Sequence, residues 1–236
     1  IGWDIGIAGV TEQLAGLLDA FAILQTYSRL VIDCNRPLDS ASSIVGSSDG
    51  TVVPGNQDLQ EHQRTARALE IFAPYHGRIT QALDQRSVHP QAPVLIAMHS
   101  FTPVFAGETR PWHVGVLYHR DTRLAHALLA ALKEEPDLVV GDNQPYSISD
   151  GSDFAVPVHG EQRGLLHVEL EIRQDLIADA QGQAQWAQRL ARILPTLLAD
   201  LTGKQRASVT SGLPPASCAT PASSLIAAQR VGIGSS

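Results

Sequence analysis

The sequence predicts an α/β fold with three layers, in which a mostly parallel or mixed central sheet is flanked by helices. Segments with strand-like patterns alternate along the chain with segments that repeat at the helical period, an order typical of such layered domains. Residues 94–98 form a continuous apolar run, which is typical of a central strand buried on both faces. In sheets of this kind, ligands bind beyond the carboxyl ends of the strands.

The amino-terminal part predicts a helix, a strand and a long loop. Asp4 precedes a helical pattern of apolar residues and suits an N-cap or a first-turn acid. Residues 21–32 predict a strand, broken near Ser28, that delivers residues 33–37 at its carboxyl end. Residues 39–57 are rich in Ser, Gly and Pro and predict a long loop, which in a compact domain is more often functional than accidental.

The remaining elements alternate as the fold class requires. Residues 58–86 predict a helix kinked at Pro74, with Leu69, Phe72, Ile79 and Leu83 as core candidates. Strands are predicted at 93–98, 114–118, 138–140 and 166–172, and helices at 123–133 and 184–198.

The chain predicts one α/β domain over residues 1–202 and a low-complexity tail over residues 203–236. The tail is rich in Ser, Ala, Pro, Gly and Thr and lacks sustained periodicity, so we expect it to be dispensable for the core. The chain begins at Ile1 without an initiator Met or a signal peptide, and we expect that an amino-terminal segment is absent.

Composition limits the partners and the compartment. A net charge of −7 without a stripe of Lys and Arg argues against a nucleic-acid partner. No apolar run approaches the roughly 20 residues that a membrane span needs. Cys34 and Cys218 are far apart in a chain with 2 cysteines, which favours a reducing, cytoplasmic location over a disulfide framework.

The predicted strand near residue 170 has one polar face. His167, Glu169, Glu171 and Arg173 alternate with apolar residues, so that the four ionisable side chains share one face. This pattern has two interpretations. The strand is exposed and its polar face meets water, or its carboxylates include the general base of a hydrolase.

Further polar residues follow the predicted strands. His99 comes directly after the most apolar strand, where it serves either a structural role or as a Zn²⁺ ligand. Arg36 can bind a substrate carboxylate, but Asn35 and Arg36 also suit an ordinary surface turn. His159 and Arg163 precede the polar strand and can equally belong to a solvated face.

Four sequence blocks resemble the N-formylglutamate amidohydrolase family. They lie at residues 28–37, 95–103, 111–118 and 164–176, they occur in the order found in the family, and the resemblance runs from about residue 1 to 198. It implies a zinc-carboxypeptidase-like fold of the phosphorylase/hydrolase type and a hydrolase that depends on one zinc ion.

The resemblance also implies roles for individual residues around the metal. His99 matches a metal ligand, and Glu171 matches the base that activates the metal-bound water. The choice of Glu171 over Glu169 rests on the resemblance, because both share one strand face. Asp4 matches an early acidic metal ligand, with the helix cap as the alternative.

Substrate contacts are implied in the same way. Asn35 and Arg36 match a pair that binds the substrate carboxylate in the wider superfamily. Arg163 is a weaker candidate for binding the substrate carboxylate, and His159 is a further candidate for a contact with the substrate.

The predicted function is metal-dependent hydrolysis of the amide bond of a small N-acyl amino acid such as N-formyl-L-glutamate. The family usually contributes a first metal ligand from a His motif located before the position of Ile1. The alternative function is therefore a non-catalytic or regulatory homologue that binds a small carboxylate ligand.

Overall fold

The computed structural model describes residues 2–88, 92–209 and 224–229. The helices are α1 (Ile7–Leu18), α2 (Glu61–Arg67), α3 (Ala73–Ser87), α4 (Arg123–Lys133) and α5 (Ala180–Val209). The strands are β1 (Phe21–Gln25), β2 (Ser47–Ser48), β3 (Thr51–Val52), β4 (Val94–Phe101), β5 (Val104–Phe105), β6 (Glu108–Thr109), β7 (Val114–Leu117), β8 (Val140–Asp142), β9 (Leu166–Arg173) and β10 (Ser224–Gln229). Single π-helical segments occur at Ala68–Phe72 and Ala155–Glu161, and short 3-10 helices at Pro54–Asn56 and Gln174–Leu176.

The central sheet is mixed, as predicted. Its strand order is β1-β10-β4-β9-β7-β8. All neighbouring pairs are parallel except β7 and β9, which are antiparallel. Strands β2 and β3, and likewise β5 and β6, form separate two-stranded ribbons.

Alternating residues of the central strands serve two different layers, which confirms the three-layer prediction. Val168, Leu170 and Ile172 of β9 pack with α1, α4 and α5 in the main core. The opposite face of the sheet packs on α3, where Leu95 joins Ile79 and Leu83 in a second cluster. The polar face of β9 points into this second layer and is buried, so the interpretation of β9 as a solvent-exposed strand is wrong.

The strand predicted at residues 21–32 ends at Gln25. The Ser28 hydroxyl donates to the Gly2 carbonyl at 2.6 Å and accepts from the Leu30 amide at 3.2 Å, which turns the chain away from the sheet. Ile32 then packs in a small separate core with Phe72. Asn35 and Arg36 therefore follow an irregular segment and not a strand end.

Several other boundaries differ from the predictions. Leu69 was expected in the core but is 66% exposed, because the π-helical segment at Ala68–Phe72 changes the phase of the helix. Strand β4 continues to Phe101 because it stays paired with β9 up to Arg173, so His99 lies within the strand and not after it. Helix α5 is longer than predicted at both ends.

Part of the predicted tail belongs to the sheet. Ser224–Gln229 forms β10, which pairs in parallel with both β1 and β4. Removing a strand between two others leaves the hydrogen-bonding groups of both neighbours unpaired. The pairing of residues 224–229 argues against the expectation that the tail is dispensable, and residues 210–223 and 230–236 lie outside the described residues.

None of the helices in the described ranges combines the length and the apolar character that crossing a bilayer requires.

Candidate active site

Strands β4 and β9 place three ionisable side chains on one face of the sheet. In their parallel register, His99 pairs with Glu171 and Ala97 pairs with Glu169. Register partners share a face, and so do residues two apart on a strand. Both carboxylates are buried, with Glu169 2% and Glu171 6% exposed.

Asp4 reaches this face from the segment that precedes α1. Its Oδ2 lies 2.9 Å from His99 Nδ1, and the Ser100 amide donates to the same oxygen at 3.4 Å. Asp4 does not cap the helix, because α1 begins after Gly6 without a side-chain cap. The structure thus brings together the two predicted metal ligands, and we refer to Asp4, His99, Glu169 and Glu171 as the His99 cluster.

The two glutamates have different surroundings. Glu169 Oε2 accepts a hydrogen bond from Asn35 Nδ2 at 3.3 Å and lies 3.9 Å from His99 Nε2. Glu171 Oε2 is buried and has no hydrogen-bond partner in the described residues. Glu169 therefore faces the ring nitrogen of His99 that points away from Asp4, whereas Glu171 keeps an acceptor oxygen free.

Burial governs the electrostatics of the cluster. It raises the pKa of Glu169 to about 7 and that of Glu171 to about 8, although His99 lowers both. Burial alone would lower the pKa of His99, but Glu169, Asp4 and Glu171 outweigh it and raise the pKa to about 10. When both glutamates are ionised, three carboxylates surround one imidazole, and a bound cation would favour this ionised state.

Asp4 and His99 offer an oxygen and a nitrogen of the kinds that bind zinc, two of the three protein ligands that a catalytic zinc ion usually has. Two ligands of a tetrahedral zinc ion lie roughly 3.3 Å apart, given bonds of about 2 Å. The 2.9 Å between Asp4 Oδ2 and His99 Nδ1 is close to that separation. His99 Nε2 lies 3.9 Å from Glu169 Oε2, beyond hydrogen-bond distance but on the side where metal-binding histidines usually have a carboxylate partner.

Asn35 and Arg36 anchor a neighbouring loop. Asn35 Oδ1 accepts from the amides of Phe154 and Ala155 at 3.2 and 3.0 Å. Arg36 Nη1 donates to the Ser152 carbonyl and to Asp153 Oδ1. The Asn35 side chain also joins this loop to the His99 cluster through Glu169.

His159 and Arg163 make their contacts elsewhere. His159 is 2% exposed, and its Nε2 lies 2.9 Å from Nδ1 of His76, whose Nε2 is 2.8 Å from the Cys34 carbonyl. Burial lowers the pKa of His76 to about 4 and that of His159 to about 3, so both are neutral. Arg163 precedes β9 and donates to Asp84 of α3 at 2.6 Å. The substrate contacts expected of His159 and Arg163 remain predictions.

The structure adds residues that the sequence did not single out. Arg29 donates to Asp33 Oδ2 at 2.7 Å and lies 3.8 Å from Asp4 Oδ1, which links the segment around Asp4 to the Asn35 loop. Burial alone would raise the pKa of Asp33, but Arg29 and Arg36 outweigh it and lower that pKa. In the sequence, the one indication that Asp33 belongs to the site was its position beside the Asn35–Arg36 pair. Arg29 lies four residues before Asp33, but its contact with Asp4 joins parts of the chain that are distant in sequence, as do the contacts of Asp153 with Asn35 and Arg36.

A second group of potential metal ligands lies apart from the His99 cluster. Among the described residues, ligand atoms of His119, Asp150 and Glu161 lie within 4.8 Å of one another, and we call this group the Glu161 cluster. Arg120 donates to both carboxylates. A cation at this position would therefore compete with a guanidinium that already neutralises the acids.

The sequence profile of the N-formylglutamate amidohydrolase family matches residues 1–178. The chain belongs to this family. Membership indicates an amidohydrolase and confirms the resemblance seen in the sequence.

Solved structures share the fold. The gene product Atu2144 from Agrobacterium tumefaciens is 37% identical, with a TM-score of 0.80 over 85% of this chain and 79% of its own. An N-formylglutamate amidohydrolase from Ralstonia eutropha JMP134 has a TM-score of 0.60 at 14% identity, over 85% of this chain and 82% of its own, which shows the fold alone. No functionally curated protein matches the chain.

Proposed function

We propose that the protein is a metal-dependent amidohydrolase that cleaves the amide bond of a small N-acyl amino acid, such as N-formyl-L-glutamate. The observation that carries the proposal is the His99 cluster. It combines two donor atoms 2.9 Å apart with a buried, unpartnered carboxylate oxygen on the adjacent strand. The choice of substrate follows the N-formylglutamate amidohydrolase family and the enzyme of that name from Ralstonia eutropha JMP134.

Asp4 and His99 would hold the metal, with zinc as the expected ion. When bound, the ion polarises the scissile carbonyl and lowers the pKa of its water. The Asp4 carboxylate lies 2.9 Å from Nδ1 of the His99 ring, and Glu169 faces Nε2 at 3.9 Å on the other side of the ring.

Glu171 is the proposed general base. Its free Oε2 can accept a proton from the attacking water and then deliver it to the leaving nitrogen. A base works best when its pKa lies near the working pH, and burial moves the pKa of Glu171 in that direction. Glu169 suits this role less well, because one of its oxygens already serves Asn35 and His99.

Arg36 is the proposed partner of the α-carboxylate of the substrate. Contacts with Asp33, Ser152 and Asp153 use its Nη1 and Nε, so Nη2 has no partner among the described residues. Its side chain is 24% exposed, which leaves it accessible. Asn35 holds the loop that positions this guanidinium.

The test separates the metal ligand from the base. We expect Glu171→Gln to keep its zinc and lose turnover, because glutamine cannot accept the proton. We expect His99→Ala to lose the zinc. Metal content and hydrolysis of N-formyl-L-glutamate are measured on the same preparations, with Glu169→Gln as the matched control on the same strand face.

Two results would count against the proposal. If His99→Ala binds as much zinc as the wild type, the metal lies elsewhere, and the Glu161 cluster becomes the first position to examine. If zinc-loaded wild-type protein hydrolyses no N-acyl amino acid, a non-catalytic carboxylate-binding role takes precedence.

A further inference from the structure

Arg110 is a buried arginine without an acidic partner. It is 9% exposed, and within the described part of the chain it makes no ion pair. Its one side-chain hydrogen bond there runs from Nη1 to the Tyr146 hydroxyl at 2.7 Å. Its guanidinium lies over the rings of Phe105 and Tyr146, at 4.7 and 4.8 Å from their centroids, and 6.0 Å from that of Phe101.

Two independent features place Arg110 beside the His99 cluster. Phe101 lies two residues beyond His99 on β4 and therefore shares its face of the sheet. Arg110 follows the β5–β6 ribbon and is tied back to the end of β4, since its amide donates to the Pro103 carbonyl at 2.8 Å. The Arg110 guanidinium thus lies over the face of the sheet that carries His99, and it is nearer than His99 to the carboxyl end of β4.

Tyr146 reaches the same place from another part of the chain. A Cβ atom added to Gly115 would lie 1.9 Å from the Gln144 carbonyl oxygen, so the loop after β8 packs directly on Gly115. Gly115 pairs with Glu171 in the antiparallel register of β7 and β9, and the two residues share a face. In agreement, burial raises the pKa of Tyr146 and the Glu171 carboxylate raises it further, whereas Arg110 opposes the shift.

The other arginines near the site are paired. Arg29 is bound to Asp33 and Asp4, and Arg36 contacts Asp33 and Asp153. A buried cation without a counter-ion is costly, and a guanidinium offers five N–H donors in a planar fork that matches a carboxylate. Stacked rings pack against a guanidinium while its donors point outward in its own plane, so the arrangement preserves the capacity to bind an anion.

We propose that Arg110, supported by Tyr146, binds the side-chain carboxylate of the substrate and sets the preference for an acidic amino acid. This inference rests on the proposed function, in which Arg36 binds the α-carboxylate and Glu171 is the base. Tyr146 and Phe105 are 43% and 42% exposed, so the subsite opens at the surface beside the catalytic face.

The test compares two substrates that differ by one charge, N-formyl-L-glutamate and N-formyl-L-glutamine. A lost charge-assisted hydrogen bond is worth about 1.5–3 kcal/mol, so we expect Arg110→Gln to lower kcat/KM for the glutamate substrate by roughly 10- to 150-fold. The loss for the glutamine substrate should be much smaller. Arg110→Lys keeps the charge and should retain part of the preference, and Tyr146→Phe should weaken it less than Arg110→Gln.

Arg78 provides the matched control. It also stacks on an aromatic ring, that of Phe21 at 4.8 Å, and donates to a neutral partner, Gln81, but it lies on the exposed side of helix α3. Arg78→Gln should leave the preference between the two substrates unchanged. Equal losses of Arg110→Gln on both substrates, in a variant that melts like the wild type, would overturn the assignment.

A binding measurement separates this inference from the proposed function. L-Glutamate and L-glutamine are added to wild type and Arg110→Gln, and the thermal shift that each ligand produces is recorded. Loss of the preference for glutamate in Arg110→Gln would support the subsite even if the wild type hydrolyses neither substrate. A preference for glutamate that survives in Arg110→Gln would refute it.

Discussion

The His99 cluster and the Glu161 cluster each place a glutamate with little exposed side-chain surface beside a histidine, but they differ in how the negative charge is neutralised. Glu161 accepts hydrogen bonds from the Arg120 amide at 2.6 Å and from Arg120 Nη1 at 2.5 Å, with a further contact from the Asp121 amide at 3.4 Å. In the His99 cluster, by contrast, Glu171 Oε2 has no hydrogen-bond partner in the described residues.

The pKa values follow this difference. Burial alone would raise the pKa of Glu161, but the hydrogen bonds from Arg120 and Asp121 outweigh it and lower the pKa. Burial raises the pKa of Glu171 to about 8, and its single opposing histidine is shared with Glu169 and Asp4. A saturated carboxylate supports the structure, whereas an unsaturated one retains the capacity to react.

The largest expected difference between the clusters is in catalysis. With zinc supplied, Glu171→Gln should lower kcat/KM for N-formyl-L-glutamate by about 10²- to 10⁴-fold, the usual contribution of a general base. Glu161→Gln should keep most of the activity, because this carboxylate is already occupied by Arg120. The initial rates at which the two variants hydrolyse N-formyl-L-glutamate test this expected difference. If Glu161→Gln is as inactive as Glu171→Gln while it remains fully folded, the comparison fails.

The next effect is on stability at Glu161. Glu161→Gln should lower the free energy of unfolding at pH 7 by about 1.5–3 kcal/mol, because charge-assisted hydrogen bonds from Arg120 are lost. The folded-state pKa of Glu161 lies below its ordinary 4.5, so this stabilisation is present above pH 4.5 and is lost as the pH falls through the folded-state pKa. Urea unfolding at pH 7 and at pH 3 measures it. If the wild type and Glu161→Gln differ in free energy of unfolding by as much at pH 3 as at pH 7, the stabilisation does not come from the ionised Glu161.

A smaller effect of opposite sign is expected at Glu171. Its pKa rises from 4.5 to about 8 on folding, so the unfolded chain releases the proton first and the folded state loses stability as the pH rises between these values. The shift corresponds to roughly 4 kcal/mol at pH 8, and the cost of burying the unpaired amide of Gln offsets part of it, so in metal-free protein Glu171→Gln should increase the free energy of unfolding by about 1–2 kcal/mol. The gain should vanish below pH 4.5. Denaturation in the presence of a chelator tests this, and a destabilised variant at pH 8 would refute it.

The smallest effect is expected at the rim of the Glu161 cluster. Asp150 also pairs with Arg120, but its side chain is 62% exposed. Asp150→Asn should change the free energy of unfolding by less than about 1 kcal/mol, because exposed ion pairs contribute little. A loss as large as that of Glu161→Gln would show that Arg120 depends on both acids. Thermal melting of the two variants side by side provides the comparison.

Sequence patterns predicted the sheet more accurately than the loops. The apolar run at residues 94–98 and the alternation in β9 identified both central strands, because a strand that is apolar on both faces and a strand that is apolar on one face have distinct sequence patterns. The same reasoning extended β1 through Leu30 and Ile32, since an apolar run does not show which core it enters. Ile32 enters a small core with Ile44, Ile71 and Phe72 that exists only once the long loop has folded back.

In the candidate site, too, the sequence identified some residues but missed those that depend on contacts between loops. Asp4, His99 and Glu171 were selected from the sequence and lie together in the structure. Arg110 and Tyr146 were not selected, because neither follows a recognisable motif and their relation depends on two loops that meet over Gly115 and Phe101. Likewise, periodicity placed Glu169 and Glu171 on one face but could not show which of them has a free oxygen.

The sequence by itself determined the fold class, the central strands with their polar face, and the family. The fold class and the strands follow from local periodicity, and the family follows from short blocks of residues. A single stretch of chain is enough to specify a pattern of either kind. The tertiary structure alone decided that the polar face of β9 is buried, that Ser224–Gln229 lies within the sheet, and that Arg110 has no acidic partner among the described residues. Each of these depends on which distant residues come into contact. Burial and pairing are properties of the packed chain, and they set the pKa and the reactivity of the site.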